Sequence, residues 1–272
     1  MVRAITLLLL ISPLSFAGDN STTIITKGTN NQITTKQIGN GNTTTILCGA
    51  GSGGSVPGST YVAHTCSGAV WNATVDGNSN TVRMYTVWSN NTGSRNTITI
   101  DGNDNFAYID QDEDDNVSSI TQTGDDNHAE QLGTGDDNVY AITQTGNNKY
   151  AKIMAFGEDS DVTITQSGSG AHNSYVFNAN YADNNSATIV QSGSGNKDAD
   201  IFFYADADNT DVDLTQTGNG AHTANMKFYT DDYNVDVTQA GSTNQAYSAT
   251  FNCTSSCTKT ISITQQLSLI HI

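Results

Sequence analysis

The sequence has 272 residues and carries 10 Lys and Arg against 27 Asp and Glu, a formal charge of −17. With 25 Gly and only 2 Pro it is neither collagen-like nor proline-rich, and with Glu only at Glu113, Glu130 and Glu158 it lacks a coiled-coil composition. No basic stripe is present to release counterions, which excludes nucleic acid as a partner and disfavours an anionic membrane surface.

In chain order, Met1-Val2-Arg3 is a short basic start and residues 4–14 are an apolar run too short to span a bilayer. Ser15-Phe16-Ala17 is a small-x-small cleavage signal, so residues 1–17 are expected to be a signal peptide. The mature chain is then exported, with no membrane insertion of its own. Residues 18–266 form one repeat domain, interrupted by an inserted loop at 49–65 that is rich in Gly and Ser. Residues 267–272 match no upstream pattern and read as the translation of a transposase sequencing adaptor, which predicts that the natural chain continues past Gln266.

Between these ends one motif recurs. It stands at Ile120-Thr121-Gln122-Thr123-Gly124 and Ile142-Thr143-Gln144-Thr145-Gly146, and again around Gln166, Gln191, Gln216 and Gln239. The glycines are 22, 22, 25, 25 and 23 residues apart. Gly77 and Gly102 hold the same place upstream, with Val75 and Ile100 where Gln stands later, and Gln37-Ile38-Gly39 is a further copy. Turn sequences such as Gly102-Asn103-Asp104-Asn105 and Gly124-Asp125-Asp126-Asn127 begin every 11 residues through the middle of the chain.

Each half-unit is a seven- or eight-residue alternating stretch followed by a turn, which is the pattern of a strand. Gly, Asn and Asp accept positive φ at low cost and make the turns. A strand-turn-strand-turn unit of about 22 residues closes one coil, and stacking coils about 4.8 Å apart gives an all-β solenoid. The repeat count predicts about ten coils, since a repeat unit cannot bury a face alone.

The two-residue period sends Asn116, Ser118, Ile120 and Gln122 to one face, then Asn127, Ala129 and Gln131. The next coil does the same with Asn138, Tyr140, Ile142 and Gln144, then Ala151, Ile153 and Ala155. Buried amides are costly unless paired, and stacking on their own copies pairs them. The predicted structural ladder is Gln37, Gln122, Gln144, Gln166, Gln191, Gln216 and Gln239, with Asn116, Asn127 and Asn138.

These residues carry a resemblance. Asn116-x5-Gln122-x-Gly124-x2-Asn127-x3-Gln131 and Asp211-x4-Gln216-x-Gly218 resemble the curlin repeat of curli fibre subunits, whose pattern is Ser-x5-Gln-x-Gly-x2-Asn-x5-Gln. The similarity covers most of the chain and is strongest over residues 98–244. It implies a secreted functional amyloid at a bacterial surface, used in biofilm matrix and adhesion. It also implies that the chain polymerises with itself and meets a curli-type nucleator or secretion pore. The chain departs from the pattern in its cysteines and in Ala155, Ala179 and Ala205, where the second-strand Gln would stand.

The remaining candidates are few. Four cysteines in an exported chain favour disulfides, and local pairing would join Cys48 to Cys66 and Cys253 to Cys257. His64, His128, His172 and His222 fall in loops or at turns and read as solvated turn residues. No nucleophile motif or phosphate loop is present, so no enzyme and no cofactor is expected. One edge should gather Asp112, Asp114, Asp115, Asp136, Asp137 and Asp159, a carboxylate density that either sodium screens or calcium bridges. Two other functions fit a solenoid: a segment of a larger adhesin or phage fibre, and ice binding through the outward Thr121-x-Thr123, Thr143-x-Thr145, Thr163-x-Thr165 and Thr215-x-Thr217 pairs.

Overall fold

The computed structural model describes residues 18–26, 28–48, 66–86, 91–111, 114–134, 138–155, 160–177, 185–202, 210–227, 233–250 and 259–267. Among them every regular element is a strand. The first nine are β1 (Ser21–Thr26), β2 (Gln32–Ile38), β3 (Thr43–Cys48), β4 (Cys66–Ser67), β5 (Val70–Asp76), β6 (Thr81–Thr86), β7 (Asn91–Thr92), β8 (Arg95–Asp101) and β9 (Phe106–Asp110). The rest are β10 (Val117–Thr123), β11 (Val139–Thr145), β12 (Asp161–Gln166), β13 (Ile189–Gln191), β14 (Thr215–Gln216), β15 (Tyr233–Asn234), β16 (Val237–Gly241), β17 (Lys259–Thr260) and β18 (Ile263–Leu267).

Alternation makes these strands. In β10, Ser118, Ile120 and Gln122 are buried while Val117, Thr121 and Thr123 are exposed. The chain then turns at Gly124, whose φ is 113°, and at Asp126, whose φ is 56°. A β-carbon on Gly124 would stand 2.4 Å from the carbonyl oxygen of Gly146, one coil on, so the turn needs glycine for room as well as for its backbone angle. Asp126 and its counterpart Asn148 tolerate the left-handed region that most side chains avoid.

Two parallel sheets face each other. The wide one has ten strands in the order β18-β16-β14-β13-β12-β11-β10-β8-β5-β2, and every pairing is parallel. The other begins as β1-β3-β6-β9 and continues through single bridges, Phe106 to His128 to Tyr150 to Asn173, then His172 to Lys197 to His222 to Gln245. The fold is the β-solenoid expected from the repeat. Two short pairs, β4 with β7 and β15 with β17, lie outside these sheets.

The coil length departs from a uniform 22 residues. Equivalent residues are 22 apart from Gln122 to Gln166, 25 apart from Gln166 to Gln216, then 23 and 26. The first step, Asn20 to Asn42, is 22, and the next, Asn42 to Asn80, is 38, because the 49–65 insertion falls within it. That insertion, the expected signal peptide, residues 268–272, His64, Ala179 and Ala205 lie outside the described residues. Leu267 ends β18 and pairs with Gly241.

The core is a set of columns. Ile98, Ile120, Ile142, Ile164 and Ile189 stack down the wide sheet, continued by Leu214 and Val237. Ala107, Ala129 and Ala151 stack opposite them, with Ile109 and Ile153 beside. Small residues opposite β-branched ones let the sheets approach and fill the space between.

Candidate functional site: the stacked side-chain columns

One column of glutamines runs down the wide sheet. Gln122 Nε2 donates to Gln144 Oε1 at 2.9 Å, Gln144 to Gln166 at 2.9 Å, Gln166 to Gln191 at 2.9 Å, Gln191 to Gln216 at 3.0 Å and Gln216 to Gln239 at 2.7 Å. Gln239 donates on to Gln265 at 3.4 Å. The second hydrogen of each amide crosses the core to a backbone carbonyl of the opposite sheet: Gln122 to Phe106, Gln144 to His128, Gln166 to Tyr150, Gln191 to Asn173 and Gln216 to Asp198. Each amide therefore ties coil to coil and sheet to sheet. From Gln122 to Gln239 they are wholly buried, where such bonds are electrostatically strong and an unpaired group is expensive.

The column has a defined start. Ile100 and Val75 hold the two positions before Gln122, in register with it. Gln122 Oε1 consequently has no donor among the described residues. Gln37 stands in the same register but outside the ladder, a correction to the sequence reading. Its neighbour in the stack is Val75, so its Nε2 turns to Thr44 Oγ1 at 2.6 Å and Ser21 O at 3.2 Å.

The asparagines divide between two corners. At one, Asn42, Asn80, Asn105 and Asn127 follow successive turns. Each side-chain oxygen accepts the backbone N–H one coil on: Asn80 to Asn42, Asn105 to Asn80 and Asn127 to Asn105, all at 2.9 Å. Their Nδ2 groups donate forward, to the carbonyls of Gly102, Gly124 and Gly146, at 2.7 Å. At the other corner Asn116 Oδ1 accepts from Asn138 N at 2.9 Å, and Asn138 Oδ1 from Ser160 N at 3.1 Å. Asn127 thus shares no column with Asn116 and Asn138.

The first corner holds what the sequence did not reveal. After Asn127 the same position is filled by Lys149, whose N–H donates to Asn127 Oδ1 at 3.0 Å, and then by His172, Lys197, His222 and Gln245. His172 and His222 are buried, not solvated turn residues. The alternation carries them inward, and the coils above and below close over them. The signal in the sequence was positional: Lys149 stands 22 residues after Asn127, at a site that Asn42, Asn80, Asn105 and Asn127 had already filled.

Outside, Phe106, His128 and Tyr150 stack with centroids 4.6 and 5.1 Å apart, and Lys152 pairs with Glu130 at 2.9 Å. The hydrogen bond with His128 holds the Glu130 carboxyl below its usual range, against partial burial and with help from Lys152. Cys48 and Cys66 are joined in a disulfide, with Cα atoms 5.5 Å apart, while Cys253 and Cys257 lie outside the described residues. Asp112, Asp136, Asp137 and Asp159 also lie outside them. Asp114 accepts the Thr92 N–H one coil away, and Asp115 N–H donates to Thr92 O at 2.9 Å. Among the described residues no group of three or more metal-ligating side chains comes together.

Such columns place like on like at every coil, and the family comparison bears on what repeats in this way. The curlin associated repeat matches residues 135–168 and 182–218. Over these two stretches the chain carries the curlin repeat. The matched stretches contain Gln144, Gln166, Gln191 and Gln216, the middle of the glutamine column. The repeat is that of curli-like structural subunits. No curated protein and no solved structure matches the chain.

Proposed function

We propose that the chain is an exported structural subunit of extracellular curli-like amyloid fibres, serving in biofilm matrix and surface adhesion. The observation that carries the reading is the likeness of successive coil interfaces. From Gln122 to Gln239 each coil offers the next a parallel strand edge and an amide in the same register. A coil of a second chain would find there the partners that an internal coil finds, so growth by stacking needs no new type of contact. In this reading an edge such as that of β2, paired on one side only among the described residues, is where subunits meet. A nucleator and a secretion pore belong to the same reading.

The test is assembly of the mature chain. Thioflavin-positive fibres that seed fresh protein and give a diffraction spacing near about 4.8 Å are expected. A monomer that stays soluble at high concentration and ignores seeds overturns the reading.

A second reading, ice binding, is favoured by one feature. Thr74, Thr99, Thr121, Thr143 and Thr165 form a straight outward column on the wide sheet, broken at Val190 and resumed at Thr215, Thr238 and Thr264. Thermal hysteresis in the monomer supports it, and its absence removes it.

A further inference from the structure

The first corner column changes chemistry part-way along the stack. Through Asn127 it is neutral; beyond, it reads Lys149, His172, Lys197, His222 and Gln245. The lysines and histidines are at most 1% exposed. Lys149 Nζ donates to the carbonyls of Asn147 at 3.1 Å, Gly168 at 2.8 Å and Gly170 at 2.6 Å. Lys197 Nζ repeats this on Gly195 at 2.9 Å, Gly218 at 3.0 Å and Gly220 at 2.6 Å. Three acceptors need three hydrogens, so both groups are ammonium ions, and each ties its own turn to the next.

The histidines differ. His172 Nε2 meets the carbonyl of Ser167 at 2.7 Å, and His222 Nε2 that of Thr217 at 2.8 Å. A carbonyl only accepts, so Nε2 carries the hydrogen and Nδ1 is bare. Nδ1 of each ring is buried with no partner among the described residues. At His172 a proton arriving there meets no acceptor; at His222 the Ala221 backbone favours it slightly, a smaller effect than burial. The charged groups facing His172 are Lys149 from the coil above and Lys197 from the coil below, and the one facing His222 is Lys197. Below His222 stands the neutral Gln245. The nearby carboxylates of Asp198 and Asp200 are turned to Asn173 and Asn225, whose amides donate to them at 2.9 Å.

We propose that this corner is an acid-triggered release: when His172 and His222 take up protons, the coils spanning residues 149–245 open, while the asparagine-joined coils before them stay closed.

Burial, with smaller repulsion from the lysines, pushes both imidazoles below the usual range, His172 to about 4. An opened histidine binds its proton below a pH of about 6.5, whereas buried His172 does so only near 4. The closed state therefore loses ground as pH falls from about 6.5 to about 4, and above that window the histidines cost it nothing. By about pH 4.5 the opening equilibrium rises roughly 50- to 100-fold through His172 alone, and further through His222.

Hydrogen exchange by mass spectrometry on the full chain, from pH 7.5 to pH 4 and corrected for intrinsic rates, reads this directly. Peptides from 160–250 should lose protection in that window while those from 70–134 keep theirs. In His172→Gln with His222→Gln, which copies the residue found at Gln245, the two regions should respond alike. Lys197→Gln keeps both histidines but takes the ammonium from three turn carbonyls, so it should lower protection at every pH while making the loss between pH 7.5 and pH 4 shallower. Uniform loosening of the wild-type chain overturns the proposal even if no variant folds. So does a double variant with unchanged pH dependence. Neither outcome depends on whether the chain forms fibres.

Discussion

At the scale of single residues, burial alone does not rank the glutamines. Gln122 and Gln144 are equally buried, but Gln122 Oε1 already lacks a donor. Gln122→Leu removes that orphan and creates one at Gln144, so the number of unpaired oxygens is unchanged. Gln144→Leu keeps the orphan at Gln122, strands an amide hydrogen there, and strands the acceptor of Gln166. Gln144→Leu should therefore destabilise by about 1–3 kcal/mol more than Gln122→Leu, read from denaturant midpoints. Thr145→Ala on the outer face should do little. Lys149→Met leaves three turn carbonyls without their ammonium and should cost about 3 kcal/mol or more. Lys149→Asn should recover part of that, since Asn127 one coil earlier reaches one such carbonyl.

At the scale of elements, the strands of the wide sheet shorten beyond β12, and coil length alone does not set this, since β5 and β8 have seven residues each and lie 25 apart. β10 and β11 have seven residues each, and their coils repeat every 22. β13 has three and β14 has two, where the repeat is 25. The extra residues go to the turns, and the glutamine column runs on regardless, because Gln191 and Gln216 stay paired in register. The disulfide works at the same scale. Cys48 closes β3 and Cys66 opens β4, so the bond shuts an 18-residue separation at the point where the longest coil leaves the lattice. Replacing both cysteines by serine should cost about 3 kcal/mol through restored freedom of the open chain. Exchange should rise around β2, β3 and β5 and stay unchanged around β11 and β12. A uniform rise would mean the bond braces the whole stack.

For the whole molecule, charge sets the pace of association. The chain carries −17, and stacked subunits would bring like charges together at every junction. Fibre growth should speed up several-fold between about 0.01 M and 0.15 M salt, where the Debye length falls from about 30 to about 8 Å. Growth measured by thioflavin across a sodium chloride series checks this. No salt dependence would mean that subunits meet through surfaces remote from the acids.

The alternation of Val139-Tyr140-Ala141-Ile142-Thr143-Gln144-Thr145 and the glycine turns after each such run were enough to place the strands, the coils and the buried glutamines. Both are local: a two-residue period and a need for positive φ are written within one repeat. Membership of a column is not local. Gln37 looks like the other glutamines, yet Val75 beside it takes it out of the ladder. Asn116 and Asn127 look alike and belong to opposite corners. His172 and His222 read as turn residues, and Lys149 drew no notice, because an imidazole or a cation is seldom buried. Their burial depends on the carbonyls that surround the position once coils are stacked. The sequence by itself determined a repeating all-β stack with an inward amide. Only the tertiary structure decided which side chains complete each column, since the residue above and the residue below each one come from other coils.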